Sequence, residues 1–289
     1  MRKIIYILLF SLLLPFLLKA QDINTIRSFS DEQFNTGNYQ LALKEYQRVL
    51  FFSNDNEYNE LYSKIASIHY LLSDLNLAIR YYDFAMRVED DDSLRFELAL
   101  KKTLCNFKQD DYYSALSELL DLKEPGTGYL KDKKDLYMGI CYFGLNNYEK
   151  SREYFSAVLD PDGIAELHNL FHSYESYSRK YRPGKVELMS ILLPGLGQIY
   201  TGEILSGINS FVLITGITIY AMITAVNYTL IDGLLVLSSW FYRYYSGGFT
   251  NAHDSAVRKI EKEKTRTYSE ILSLIESRKG LACNAPTTY

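Results

Sequence analysis

A small side chain returns at nearly constant intervals through the first half of this chain. Ala42, Ala78, Ala115 and Ser151 are spaced by 36, 37 and 36 residues. Each follows a turn-forming stretch: Gly37-Asn38-Tyr39, Asp74-Leu75, Asp110-Asp111-Tyr112 and Asn146-Asn147-Tyr148. Each is followed four residues later by a large apolar or aromatic one, Tyr46, Tyr82, Leu119 and Phe155. Apolar residues on both sides of every turn recur at spacings of three and four, the mark of amphipathic helices. Gly, Asn and Asp supply the tight connections. The small residue lets the second helix approach the first, and the large one fills the gap a turn further along the same face. A unit of two short helices cannot bury its apolar face alone and must stack on its neighbours. Residues 21–181 are therefore predicted to be an all-α array of helix pairs.

The pattern resembles the tetratricopeptide repeat (TPR). The fourth copy carries Gly139, Tyr142, Tyr148, Ser151, Phe155 and Pro161 near the family's positions, and the second carries Tyr62, Ile65, Ala66, Ala78, Tyr82 and Ala85. The third departs from it with Thr103 and Asn106, where a small residue and an aromatic are typical. The first has a clear second helix and a weak first one. The resemblance covers residues 24–160 and implies a solenoid whose first helices line a concave face. One aligned position on that face holds Phe34, Tyr70, Phe107 and Phe143, with Leu104 and Ile140 beside it. Two readings stay open: an apolar strip for a bound protein or peptide, or rings packed between helices as core. No aligned row of Lys or Arg offers a carboxylate clamp. Ile164 to Tyr181 reads as one more helix, closing the array.

The chain begins with Arg2 and Lys3, an apolar run from Ile4 to Leu18, and Ala20-Gln21. This is the layout of a signal peptide over residues 1–20, although Leu18 fits poorly two places before Ala20 and leaves an uncleaved anchor open. No cysteine stands at the junction for lipid attachment. Two further apolar stretches occupy residues 204–226 and 229–245. The first is uncharged and long enough to span a bilayer. The second carries Asp232 and Arg243 and ends in Trp240, Phe241, Tyr242, Tyr244 and Tyr245, as an aromatic belt would. A helical hairpin buried in a soluble protein is the other reading. The mean hydropathy of the whole chain is nevertheless mildly negative, so the repeat region is an ordinary water-soluble domain.

Between the repeats and the first span runs Pro194-Gly195-Leu196-Gly197-Gln198-Ile199-Tyr200-Thr201-Gly202. Proline removes a backbone donor and glycines admit unusual dihedrals, so a helix must break here. Residues 186–200 are expected to form a re-entrant or interfacial segment, within a membrane part covering residues 182–247. Residues 248–289 are expected to be a C-terminal helix and tail. The motif, through Pro194, Gly195, Gly197, Gln198, Tyr200 and Gly202, is similar to one in small two-span membrane domains. There a second patch follows the second span, to which Gly247, Gly248, Phe249, Asn251 and Ala252 correspond. That likeness implies no reaction. A tight helix contact allowed by glycine is the alternative use of the motif.

Signs of chemistry are weak. His168 and His172 have zinc spacing, but Asn169 stands where a metalloprotease needs Glu, and no third ligand is near in sequence. His69 reads as core, and His253-Asp254 as a solvated pair. Glu89 with Asp90, Asp91 and Asp92 lacks the glycine and spacing of a calcium loop. Gly195, Gly197 and Gly202 fit neither nucleotide fingerprint. Cys105 and Cys141 share a repeat position and are expected to be free buried thiols, because helices pack farther apart than a disulfide reaches. The net charge of −4 offers nucleic acid no bulk attraction. No catalytic residue, metal site or cofactor is expected.

The sequence thus predicts an all-α protein: a TPR-like solenoid, a transmembrane helical hairpin and a C-terminal helix. The signal peptide places the solenoid in the periplasm of a bacterial-type envelope and the hairpin in the inner membrane. Basic clusters on both sides of the membrane part leave the orientation of the C-terminal helix open. The expected role is a non-enzymatic scaffold that holds a protein or peptide partner beside the lipid bilayer. The alternative is a component of a transport or lipid-handling complex in which residues 194–202 line a path.

Overall fold

The computed structural model describes residues 22–52, 58–123 and 128–279; the expected signal peptide, Cys283 and the end of the tail lie outside them. Every regular element among the described residues is helical. Two compact units divide the chain between Ser151 and Arg152.

The first unit consists of α1 (Ile23–Asn35), α2 (Tyr39–Phe52), α3 (Tyr58–Leu71), α4 (Leu75–Val88), α5 (Asp92–Lys108), α6 (Tyr112–Asp121), α7 (Tyr129–Gly144) and the start of α8 (Tyr148–Ala157). From α1 to α7 each helix packs on the next in sequence, and α5 also touches α7. The periodic residues do what their spacing predicts: Ala42, Ala78, Ala115 and Ser151 are fully buried, as are Tyr46, Leu119 and Phe155.

The four turns inside the pairs are built alike. Gly37, Ser73, Asp110 and Asn146 all take positive φ, between 56° and 82°. Each donates its N–H to the carbonyl three residues back, on Phe34, Tyr70, Phe107 and Phe143 respectively. The next residue donates five back, to Gln33, His69, Asn106 and Tyr142. These bonds satisfy the orphan carbonyls at the end of each first helix, as in a left-handed helix cap. Then Ala42, Ala78, Ala115 and Ser151 donate to the carbonyls of Asn38, Asp74, Asp111 and Asn147, opening each second helix.

Buried charge in this unit is paired. Lys102 bridges Asp83 at 2.7 Å and Glu118 at 2.6 Å, joining α4, α5 and α6. Burial opposes its charge, but the two carboxylates outweigh that and hold its ammonium above the ordinary lysine range. Cys105 and Cys141 are free and buried; burial pushes the Cys105 thiol up to about 12, which keeps it protonated and unreactive.

The second unit holds the remainder of α8, then α9 (Pro161–Lys180), α10 (Pro183–Leu192), α11 (Leu196–Thr201), α12 (Ile204–Asn227), α13 (Leu230–Val236), a π turn (Leu237–Phe241) and α14 (Tyr242–Lys279). Asp160 caps α9 by accepting from Gly163 N–H, with Pro161 at the first turn. The helix expected to close the repeats forms as α9 and packs on α14. There Arg278 reaches Asp160 at 3.0 Å and Glu166 at 3.5 Å.

One helix among the described residues, α12, is long and apolar enough to cross a membrane. The second apolar stretch is not a separate helix of that length and composition. It is seven residues of α13 and a π turn running directly into α14, a 38-residue helix. The membrane part and the C-terminal helix expected on either side of residue 248 share one helix, since Gly247 and Gly248 lie inside α14. The π turn widens the helix where Trp240 and Phe241 stand, a geometry that hydrophobic periodicity does not reveal.

Candidate functional site

Three of the six residues expected on a partner-binding face are interior. Phe107, Ile140 and Phe143 retain only 2%, 1% and 3% of their surface exposed, while Phe34, Tyr70 and Leu104 are half-buried. The rings brace the turns. Phe34 meets Tyr39 edge-on at 5.8 Å, Phe107 lies 6.1 Å from Tyr112, and Phe143 meets Tyr148 edge-on at 5.4 Å. Each couples the last turn of a first helix to the first residue of its partner helix. The core reading of this position therefore holds for the buried rings: their removal would loosen the hairpins and report nothing specific about a partner.

What the first helices do present is a cleft of about 360 Å³ across α1, α3 and α5. Phe34, Leu94 and Leu98 give it an apolar part; Glu60, Ser63, Lys64, Ser67, Glu97 and Lys101 surround that part with polar groups. Its charges are organised. Lys64 bonds Asp31 at 2.6 Å and Glu60 at 3.0 Å, Arg27 bonds Glu60, and the Tyr46 hydroxyl donates to Asp31. Burial opposes ionisation of both carboxyls, but Lys64 and its neighbours outweigh it and hold Asp31 and Glu60 below their ordinary values. This polar set was not legible beforehand, because Arg27, Asp31, Glu60 and Lys64 are ordinary surface residues until two helices bring them together.

In the second unit the Pro-Gly motif forms the corner between α10, α11 and α12. Gly195 has φ +89°, and a Cβ there would stand 2.1 Å from the Gly207 carbonyl oxygen; one on Gly197 would stand 2.4 Å from that of Val186. Only glycine permits such approaches. Gln198 is 1% exposed and bonded at both ends of its amide: its Nε2 donates to the Gly248 carbonyl at 2.7 Å, and its Oε1 accepts from the Ser190 hydroxyl at 3.0 Å. Ser190 accepts in turn from Gly197 N–H at 2.9 Å. The Ser255 hydroxyl donates to Thr201, which donates to the Gln198 carbonyl. Val186, Ala252 and Ala256 close the apolar side. Tyr200 sits at the edge, its hydroxyl donating to the Lys180 carbonyl at 3.2 Å. Gly202, with φ +92°, ends α11. The counterpart patch expected on the later helix is in contact here, through Gly248 and Ala252. Pro194 marks the break between α10 and α11. The segment thus packs as a satisfied polar corner, the use of glycine first weighed as the alternative.

The histidines take modest places. His168 and His172 are exposed on α9. His69 is buried and stacks on Tyr81 at 5.4 Å, and burial depresses its basicity. His253 is paired with Glu187 of α10 at 3.0 Å, not with Asp254. Among the described residues no three His, Cys, Asp or Glu side chains converge as a metal site would require. No protein-family model matches the chain, and no curated protein matches it.

Proposed function

We propose that this protein is a membrane-tethered scaffold. On this reading the helix pairs of the first unit are TPR-like repeats that hold a protein or peptide partner, and the second unit is the tether. The observation that carries the reading is the fourfold identical turn, with its left-handed residue and buried small residue in every copy. Repeated pairs of this kind build extended concave surfaces, and the cleft across α1, α3 and α5 lies on three successive first helices. Its mixture of Phe34, Leu94 and Leu98 with opposed charges suits an extended or helical segment bearing one apolar anchor flanked by charge.

The tether rests on α12. Its 24 residues rise about 36 Å, against roughly 30 Å of bilayer hydrocarbon. Leu205, Val212, Ile219, Met222 and Val226 all face outward. A core helix of a soluble protein would cover them; a bilayer does so here. The chain then returns through α13 and the π turn, and α14 comes back to α10 and α9, which supports a hairpin with both ends on one side. The basic and apolar start of the sequence supports a periplasmic repeat unit with the tether in the inner membrane.

A photo-crosslinking residue placed at Ser67 or Leu94 in living cells tests the scaffold. Discrete adducts are expected from these cleft positions and not from Tyr113, which is exposed on α6. Equal adducts from Tyr113, or none from the cleft, would remove the partner-binding reading.

A further inference from the structure

Where the start of α12 faces the start of α14 there is a second cavity, of about 230 Å³. Its wall sets a polar group of side chains, Ser206, Asn209 and Ser210 from α12 with Arg243 and Asn251 from α14, beside Leu213, Tyr244 and two glycines. Two features of it are unexplained by packing. The Ser210 hydroxyl is buried without a hydrogen-bond partner. It faces Gly248, where a Cβ would come within 2.7 Å of it, so the backbone leaves that hydroxyl room. Arg243, an exposed residue, lines the same cavity with no carboxylate among the lining residues. Asn251 donates one amide hydrogen bond to Ser206, at 3.0 Å, and Gln198, also in the wall, is bonded through both its amide nitrogen and its oxygen.

A buried hydroxyl left unpaired costs on the order of 1–3 kcal/mol, and the exposed Arg243 beside it has its charge open to a ligand. One kind of ligand suits both. An oxyanion accepts from the five N–H groups of a guanidinium, from hydroxyls and from amides, and the cavity offers these donors with no opposing acid. The cavity is smaller than usual drug-sized pockets, fitting a headgroup and not a nucleotide. Trp240 and Tyr244 stack beside it at 6.1 Å, and Trp240 and Tyr242 are exposed, as aromatic residues are at headgroup depth.

We propose that Ser206, Asn209, Ser210, Arg243 and Asn251 bind the phosphate of an anionic phospholipid. The inference rests on the tether reading, since the ligand comes from the bilayer. An anionic lipid is specified over a zwitterionic one because the site holds a cation for the phosphate but no carboxylate for a choline or ethanolamine ammonium.

The full chain is reconstituted into vesicles of phosphatidylcholine alone and of phosphatidylcholine mixed with phosphatidylglycerol. Flotation is read first. The lipids retained after transfer to detergent are then identified by native mass spectrometry, with and without inorganic phosphate. The wild type should float and retain phosphatidylglycerol about tenfold over phosphatidylcholine, the effect of one charge-assisted contact set. Arg243→Gln and Ser210→Ala should float equally well and lose most of that preference; Arg243→Lys should keep part of it. Parity of the two lipids in the wild type, or an undiminished preference in Arg243→Gln, overturns the site. Displacement of the lipid by inorganic phosphate overturns the lipid as its source. Failure of the wild type to float overturns the tether itself, a result separate from loss of headgroup preference.

Discussion

Gly37, Ser73, Asp110 and Asn146 occupy one structural position, yet only one of them is glycine. An L-residue in the left-handed region costs roughly 1 kcal/mol, less for Asn and Asp, whose short polar side chains bond locally. Ser73 bears the cost with the least help: its hydroxyl accepts only an exposed bond from Lys108, at 3.1 Å. Ser73→Gly should therefore raise the stability of the first unit by about 0.5–1 kcal/mol, and Asn146→Gly by less, as measured by chemical denaturation. Equal or negative changes at both sites would mean that the turns do not hold this backbone in solution. The sequence signalled turns here through Gly, Asn and Asp. That the left-handed residue falls on Ser73 was hidden, because serine carries no such preference.

At the scale of elements, the corner between α10, α11 and α12 depends on backbone contact. A methyl on Gly197 would meet the Val186 carbonyl and, at 2.9 Å, the Ala252 Cβ. Both belong to buried residues that cannot move away. Gly197→Ala should destabilise the second unit by about 3 kcal/mol. Gly184→Ala, in the first turn of α10 with open space around it, should be neutral or slightly stabilising. Thermal unfolding of the two variants in detergent decides: similar midpoints would show that α11 does not dock as described. Breakage at Pro194 was legible, since proline and three glycines cannot continue a helix. The docking of the short α11 on α10 and α14 was not, because Gln198 and Gly248 are 50 residues apart.

For each whole unit, acid is the general test. Asp31 and Glu60 have folded values below the ordinary 3.8 and 4.5, and Asp111, which caps α6, is lowered by Ser114. In the second unit Glu203, just ahead of α12, is lowered chiefly by the hydrogen bond from Arg258. A carboxylate held below its unfolded value contributes stability that is complete above that value and is lost as pH falls through the folded one. Both units should thus keep their stability down to about pH 5 and lose it progressively below about pH 4. The double variant Asp31→Asn with Glu60→Gln should start less stable at neutral pH and show a shallower acid loss. A first unit equally stable at pH 3 and pH 6 would show that the Lys64-centred cluster is not formed.

Local regularities came from the chain itself. The helical class, the interval of the pairs, the turns, the buried small residues and the apolar span all follow from patterns within some forty residues, where helix periodicity and turn chemistry act. Tertiary structure decided which faces are used. It turned Phe107, Ile140 and Phe143 inward, because each first helix has neighbours on more sides than periodicity can count. It ran the second apolar stretch into one long helix past Gly247 and Gly248, where packing outweighs glycine's weak helix propensity. It also left Arg243 and Ser210 facing one cavity although they stand on separate helices. Burial and pairing are properties of neighbours distant in sequence, and no local pattern encodes which neighbour arrives.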